Sequence, residues 1–170
     1  MDVVIYPGSS LRRGGKTIDS FDDELRQVVS DMFETMYSHN GVGLAAPQVG
    51  LPLNLFVLNP AGNADEKDGE MVLINPEIVK RKGHEFGEEG CLSFPGLYAE
   101  VERSKDVRVK YQDLDGEEHE ERFEGFLARI VQHEADHLKG VVFTDRLSAV
   151  EKLRVRGALQ DFERKSTQKS

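Results

Sequence analysis

The sequence has one cysteine, comparatively few basic residues and no long apolar run, and each shortage excludes a class of protein. Cys91 is alone, so an intramolecular disulfide cannot form. No stretch approaches the roughly 18 apolar residues that a membrane-spanning helix needs, so no membrane association is expected. The first residues lack a basic segment followed by a long apolar stretch, so no signal peptide is expected. Together these absences favour a cytoplasmic protein.

The deficit of basic residues also limits the partners. Asp and Glu number 31 against 22 Lys and Arg, which gives a net charge of −9. Binding to nucleic-acid phosphates needs basic patches, so specific DNA binding is not expected. The charge is uneven, because residues 148–170 carry a net +3 and the rest of the chain −12. The ordinary interpretation of that basic segment is a solvated helix.

An amphipathic helix is predicted near the N-terminus, over about residues 20–39. Its apolar residues recur at helical spacing on one face, and Ser20 with Asp23 three residues later resembles a capping box. Asn40 and Gly41, which tolerate positive φ, end the helix. Beyond it the apolar period changes to that of strands, which are predicted over residues 53–58, 71–74, 107–111 and 117–123.

Two further helices are predicted in the last third of the chain. The first covers about residues 125–138 and is apolar over so much of its circumference that it is expected to lie between layers. The second opens at Ser148, where Glu151 completes another capping-box pattern, and its end, residues 165–170, is expected to be frayed. The sum is one α+β domain, 1–170, in which antiparallel or mixed β-sheets pack around the central helix.

The central helix carries an H-E-x-x-H motif at residues 133–137. Residues four apart lie on one helix face, so the two imidazoles can bind one metal ion, and Glu134 can reach a water held by that metal. Two surface histidines with a solvated glutamate would give the same pattern by chance. Because His133 and His137 continue the apolar face of the helix, they are expected to point inward, where buried imidazoles need partners.

A catalytic zinc-type site commonly has three protein ligands, so a third is needed. One large class of proteases places a histidine six residues after the second motif histidine, but Phe143 occupies that position here. Upstream, Cys91 is the only thiol, and Gly90 before it leaves room for close approach of the backbone. The downstream alternatives are the carboxylates of Asp145, Glu151, Asp161 and Glu163.

Three separated segments resemble the motifs of the peptide deformylase family, in the expected order and spacing. The resemblance extends from about residue 5 to residue 147, and no catalytic position departs from it. Beyond Ser148 the resemblance is weak. The three segments are Gly41-Val42-Gly43-Leu44-Ala45-Ala46-Pro47-Gln48, Glu89-Gly90-Cys91-Leu92-Ser93 and Gln132-His133-Glu134-Ala135-Asp136-His137-Leu138-Lys139-Gly140.

The resemblance implies that Cys91, His133 and His137 bind the metal. Glu134 would then act as general base and acid, taking a proton from the metal-held water as it attacks the formyl carbon and passing it to the leaving amine. A thiolate and two imidazoles suit iron, zinc, cobalt or nickel. The family is associated with ferrous iron, so one Fe²⁺ ion and oxygen sensitivity are expected, with Zn²⁺, Ni²⁺ or Co²⁺ as replacements in a purified sample.

The resemblance also implies how the substrate is held. Gln48 and the backbone N–H of Leu92 would donate to the oxyanion, although the residues alone favour a polar loop position for Gln48. Val42 and Gly43 would pair with the substrate peptide as an added strand. The candidates for the pocket that holds the substrate's first side chain are Phe126 and Ile130. Ordinary packing in the hydrophobic core would explain both residues nearly as well.

Three more polar residues are expected to support the metal ligands. Asp136 and Gln132 are candidates to accept the second N–H of a metal-binding histidine. Arg103 is expected to pair with a carboxylate of the site, Glu89 or Asp136, because a buried unpaired charge is costly.

The reaction implied by the resemblance removes formyl from the formyl-methionine that begins new polypeptides, with release of formate. Those chains emerge from the ribosome, and the net charge of +3 predicts that the segment 148–170 contacts ribosomal RNA or protein. One alternative is a zinc metallopeptidase that cuts internal bonds, which H-E-x-x-H favours and Phe143 disfavours. A second is a binding module stabilised by a closed four-ligand metal site. The remaining histidines, at positions 39, 84 and 119, have no ligand-like spacing.

Overall fold

The computed structural model describes residues 1–168. Within that range none of the helices is long and apolar enough to cross a membrane. The helices are α1 (Ser10–Arg13), α2 (Asp23–Ser38), α3 (Gly125–His137) and α4 (Ala149–Gln168). The strands are β1 (Gly43–Ala45), β2 (Leu55–Leu58), β3 (Met71–Lys82), β4 (Glu85–Gly90), β5 (Tyr98–Arg103), β6 (Asp106–Gln112) and β7 (Glu118–Glu124). Short 3₁₀ turns lie at Ala46–Val49, Lys67–Gly69 and Phe143–Arg146.

The strands pair in antiparallel fashion and form two sheets. The larger sheet has the order β1-β2-β3-β6-β7, and the smaller pairs β4 with β5. Helix α3 packs on one face of the larger sheet, where Ile130 and Val131 join Phe56, Leu58 and Val107 in one buried cluster. The predicted α+β class is therefore confirmed, with antiparallel sheets around the helix that carries H-E-x-x-H and an amphipathic helix near the N-terminus.

Helix α2 covers the other face of the larger sheet, because its apolar stripe packs against the alternate side chains of β1 and β2. The helix begins at Asp23, and its cap is Asp22, whose carboxylate accepts a hydrogen bond from the N–H of Leu25 at 2.9 Å. The predicted cap at Ser20 is wrong. A capping residue needs an extended backbone directly before the first helical turn, and Asp22 has that conformation.

Strand β3 runs through Asn75 and Pro76 and continues to Lys82, well beyond its predicted end at Ile74. Proline cannot donate to a ladder, so the sequence at this point looks like the end of a strand. In the structure a bulge accommodates the proline, so the strand continues past it. Asn75 has a φ of 52°, and the pairing with β6 shifts register between Ile74 and Glu77.

The sequence does not predict strands β1, β4 and β5. β1 has only three residues, and β4 reads Glu-Phe-Gly-Glu-Glu-Gly, which has no apolar alternation. Each of these strands is defined by its partner, since β4 pairs along its whole length with β5. Pairing of this kind depends on contacts distant in sequence, which local periodicity does not report.

Helix α4 is regular as far as Gln168, so the fraying predicted from residue 165 is wrong up to that point, and residues 169 and 170 lie outside the described range. The helix is anchored by Val155, which is buried, and by Phe162. The ring of Phe162 lies edge-on to Phe94 at 5.9 Å, and Phe143 meets the same ring at 5.2 Å. This aromatic cluster lies behind Cys91 and supports the loop that carries it.

The turn after α3 is expected to be sensitive to any side chain at Gly140. Its φ of 75° is left-handed, and an added Cβ would overlap the backbone carbonyl of Arg12. Gly140→Ala should lower the free energy of unfolding by more than about 2 kcal/mol, because a left-handed residue costs roughly 1–2 kcal/mol and the overlap adds to it. Gly50→Ala is the matched control, since Gly50 has a φ of 79° and open space. Equal losses for the two variants in urea unfolding would refute the overlap.

Candidate active site

Three potential metal ligands meet where α3 passes the end of β4. His133 and His137 lie one turn apart on the buried face of α3, and Cys91 directly follows β4. The Sγ of Cys91 is 3.4 Å from Nε2 of His137, and one ligand atom from each of the three residues lies within 4.8 Å of the others. The structure therefore brings one thiol together with two imidazoles that lie 42 and 46 positions after it in sequence.

The orientation of His133 is fixed by Glu89. Its Nδ1 lies 2.8 Å from Oε1 of Glu89, which directs the other ring nitrogen towards Cys91. The expectation that Asp136 or Gln132 fills this role is wrong. The side-chain amide of Gln132 forms hydrogen bonds with backbone groups of residues 104 and 128. The carboxylate of Asp136 forms ion pairs with two arginines. Glu89, two residues before the thiol, fills this role, whereas the sequence predicts it only as a partner of Arg103.

Glu89, which orients this histidine, belongs to a buried network of ion pairs. Arg103 donates from Nε and Nη2 to the two oxygens of Glu89, each at 2.9 Å. Its Nη1 donates to Asp136 at 2.6 Å. The expected pairing of Arg103 is confirmed, and it involves both carboxylates. Arg129 donates to Glu89 as well, and Arg146 binds Asp136 through two nitrogens. Burial raises the pKa of Glu89, but hydrogen bonds from His133 and Arg103 outweigh it and hold that pKa well below its usual range.

Glu134 lies between the two histidines in sequence and faces the cavity. Its Oε1 is buried and makes no hydrogen bond with any residue from 1 to 168, and its other oxygen packs against the backbone of Gly43. Burial raises the pKa of Glu134 to about 7. A carboxyl with a pKa near neutrality can both accept and release a proton under working conditions.

Hydrogen bonds of its side-chain amide hold Gln48 beside the thiol of Cys91. Its Oε1 accepts the N–H of Ala45 at 2.9 Å, and its Nε2 lies 3.4 Å from Sγ of Cys91 and 3.2 Å from Oγ of Ser93. Leu92 lines the same cavity, and its backbone N–H has no partner within the described chain. Two hydrogen-bond donors therefore flank the thiol.

A cavity of about 560 Å³ opens over these residues. Val42, Gly43, Phe126 and Ile130 all line it, with Ile130 buried and Phe126 57% exposed. One wall is β1, which pairs with β2 on one side only and so presents a free edge. The carbonyl of Val42 already accepts the N–H of Asn59, and the alternation of an antiparallel ladder turns the main-chain groups of Gly43 to the open side.

A Cβ at Gly43 would lie 2.7 Å from Oε2 of Glu134. Gly43→Ala is therefore expected to displace the carboxylate and to lower kcat/KM, by up to about 10²-fold, since misplacement of a reacting group by 1 Å can cost that much. Gly41→Ala is the control, because its Cβ would overlap only the terminal methyl group of Leu92 and would otherwise make ordinary contacts with Leu92 and Met36. Steady-state kinetics with urea unfolding separates the two variants. Equal losses of activity would show that the contact with Glu134 is unimportant.

The donor set fits a divalent transition metal. One soft thiol and two imidazoles suit iron, zinc, cobalt or nickel, whereas magnesium and calcium prefer oxygen. Burial lowers the pKa of His137 well below its ordinary value, and repulsion from the charges of His133 and Arg103 adds to it, so the neutral imidazole is favoured. Glu134, whose Oε1 has no hydrogen-bond partner among residues 1–168, lines the cavity together with Cys91 and His133. None of Asp145, Glu151, Asp161 and Glu163 belongs to the cluster.

The family model, the related sequences and the solved structures that match this chain all point to one protein family. Residues 1–153 match a family model described as polypeptide deformylase. A peptide deformylase of Thermotoga sp. (strain RQ2) is 47% identical over 163 residues, which cover 95% of this chain and 96% of that protein. A crystal structure of Arabidopsis thaliana peptide deformylase 1B with an inhibitor superposes with a TM-score of 0.95 at 45% identity, covering 100% of this chain and 94% of that one. The Plasmodium falciparum peptide deformylase superposes with a TM-score of 0.95 at 39% identity, covering 98% of each chain.

Proposed function

This chain belongs to the polypeptide deformylase family, and from that premise we propose which of its residues carry each part of the reaction. It is a metal-dependent hydrolase that removes the N-formyl group from the formyl-methionine of newly synthesised polypeptides and releases formate. We infer that residues 1–170 form one catalytic domain. The anchoring of α4 on Phe94 supports this, because the last helix then shares the core of the site.

Cys91, His133 and His137 would hold the metal, which supplies a Lewis acid that polarises the formyl carbonyl and lowers the pKa of water. Glu89 orients His133 through its Nδ1, and the buried arginines keep Glu89 ionised. The hydrogen bond from Glu89 fixes the ring of His133 before any ion enters, which lowers the cost of ordering that ligand. The proposed working ion is Fe²⁺.

Glu134 is the proposed general base and acid. Its free Oε1 takes a proton from the attacking water, and the same oxygen then delivers that proton to the amine nitrogen as the C–N bond breaks. The pKa of about 7 suits both transfers, because the carboxylate is neither too weak a base nor too weak an acid at neutral pH. The backbone of Gly43 holds the carboxylate from one side.

Gln48 and the N–H of Leu92 are the proposed oxyanion donors. The Nε2 of Gln48 is fixed because the other end of its amide binds the N–H of Ala45. Donors that are positioned before the reaction stabilise the developing charge without reorganisation. The N–H of Leu92, which has no partner in the described chain, is free to serve in this way.

The substrate is proposed to lie along the free edge of β1. Gly43 would offer its N–H and C=O to the peptide backbone, with Val42 beside it, and recognition through main-chain groups tolerates many sequences. Phe126 and Ile130 line the cavity one turn apart on α3 and are the proposed contacts of the methionine side chain.

The observation that carries this proposal is the convergence of a thiol and two imidazoles at the side of a cavity, which is also lined by Glu134, with its unpartnered Oε1, and by a free strand edge. The test compares a formyl-Met peptide with its unformylated form. Release of formate from the first, with no cleavage of either peptide chain, is the expected result. Cleavage of internal bonds would instead support the metallopeptidase alternative.

The identity of the metal is tested separately. The metal-free protein is loaded with Fe²⁺ or Zn²⁺ under anaerobic conditions, and kcat/KM is measured with metal content determined on the same samples. The ferrous form is expected to be the more active and to lose activity in air, because ferrous iron and a thiolate are both oxidisable. Equal activity of the two forms would refute the preference for Fe²⁺.

We also propose a cytoplasmic site of action, no specific DNA binding and contact with the ribosome through the basic segment 148–170. Lys152 and Arg156 are exposed on α4, whereas Arg154 pairs with Glu151. Removing the whole helix would uncover Phe94, so the sharper variant is Lys152→Gln with Arg156→Gln. Unchanged co-sedimentation with ribosomes at low salt would contradict the contact.

A further inference from the structure

The N-terminal segment, residues 3–8, runs across the two loops that carry the proposed oxyanion donors. The N–H of Val4 donates to the backbone carbonyl of Gln48 at 2.6 Å, and the N–H of Tyr6 donates to the carbonyl of Ser93 at 2.9 Å. Gln48 lies in the 3₁₀ turn Ala46–Val49, and Ser93 follows Leu92 in the loop of Cys91. Neither the ligand cluster nor the general base explains these two bonds.

The two donors of the segment are spaced for this bridge. Residues two apart in an extended chain point to the same side, so the N–H groups of Val4 and Tyr6 face inward while Ile5 is exposed. The ring of Tyr6 also stacks on Phe94 at 4.8 Å, in the loop of Cys91. Farther along, the hydroxyl of Ser10 donates to the carbonyl of Pro47 at 2.9 Å.

Within the described residues, the direct hydrogen bonds between the two loops come from the side chain of Gln48. Its Nε2 contacts Ser93 Oγ and Cys91 Sγ, and it is also the atom that has to turn towards the substrate. A donor cannot both hold the loops together and be released to a new acceptor without loss of alignment. The bonds to Val4 and Tyr6 use backbone carbonyls and persist whatever the side chain does.

We propose that residues 4–6 are a positioning element of the oxyanion site, which fixes the distance between Gln48 and Leu92 by binding the backbone of both loops. This inference rests on the proposed function of those two donors. The segment touches no reacting atom, so its effect is expected in kcat, where the transition state is stabilised, and not in KM.

The test removes one N–H without removing chain. Val4→Pro deletes the donor to Gln48, and Val3→Pro is the matched control, because the N–H of Val3 has no partner within the described residues. Val4→Pro should lower kcat at least about tenfold, towards the roughly 10²–10³-fold that loss of an oxyanion donor costs. Its KM and metal content should match those of Val3→Pro. An unchanged kcat would overturn the proposal.

A double-mutant cycle with Gln48→Ala distinguishes positioning from general damage. If Val4 acts through Gln48, Val4→Pro should change kcat less than about twofold in the Gln48→Ala background. An equal loss in both backgrounds would overturn the positioning role. If Gln48→Ala alone leaves kcat unchanged, the oxyanion role of Gln48 fails, and this inference fails with it. If only Val4→Pro is silent, the oxyanion role stands.

A second variant pair covers the case in which Val4→Pro does not fold. A Cβ at Gly8 would overlap the side chain of Val4, so Gly8→Ala should push the segment off Gln48 and lower kcat. Val4→Ala removes the obstructing methyl groups, and the double variant Val4→Ala/Gly8→Ala should recover most of the lost kcat. Absence of recovery would show that the loss does not pass through residue 4.

Discussion

Replacing Glu134 with glutamine is expected to lower kcat by roughly 10²–10⁴-fold, the range that general acid–base catalysis contributes. Glutamine has the same shape but cannot accept the proton of the attacking water. Metal content should stay unchanged, because the ligand cluster consists of Cys91, His133 and His137. The measurement is kcat with a formyl-Met peptide alongside metal analysis of the same preparation.

The stability of the variant provides an independent check. Burial raises the pKa of Glu134 to about 7, which means that the fold favours a neutral group at this position. A neutral amide should therefore not lower the free energy of unfolding of the metal-free protein at pH 8. Glu88→Gln is the control, since Glu88 lines the same cavity but is exposed and lies off α3. A Glu134→Gln variant within tenfold of the parent kcat would show that another group moves the proton.

The parts of the site that lie on α3 could be predicted from local sequence. The H-E-x-x-H spacing places both imidazoles on one helix face, and the apolar residues of the same face indicate which way they point. Cys91 was one of several candidates for the third ligand until the resemblance of three motifs selected it. The amide of Gln48 had no local signal, because its role depends on Cys91, 43 positions later.

The rest of the site depends on pairing between distant segments. Glu89 reaches His133 only because β4 pairs with β5 and lies against α3, and β4 has no periodicity that identifies it as a strand. The same pairing places Arg103 opposite Glu85 at the start of β4, and its side chain reaches Glu89 from there. Contacts between elements far apart in sequence determine these positions, and single-sequence patterns report only local preferences.

Arg103→Met is expected to lower the free energy of unfolding by about 3–5 kcal/mol, because removal of one partner leaves buried charges uncompensated. The side chains of Arg103 and Glu89 are each only 4% exposed, and that of Asp136 is 9% exposed. Methionine fills a similar length of the apolar stem, so the loss reports the charge rather than a cavity. Urea unfolding of the metal-free protein measures it.

The control for this prediction is Arg122→Met on β7. Arg122 also bridges two carboxylates, those of Asp106 and Glu124, but its side chain is 56% exposed, and surface pairs contribute only about 0–1 kcal/mol. Because Glu89 also orients His133, the buried variant should in addition bind its metal roughly 10–100-fold more weakly, as second-layer changes typically do. If Arg103→Met lost stability but kept its metal affinity, Arg129 alone would suffice to hold Glu89 against the histidine. If the two arginine variants lost equal stability, burial of the network would contribute nothing to the fold.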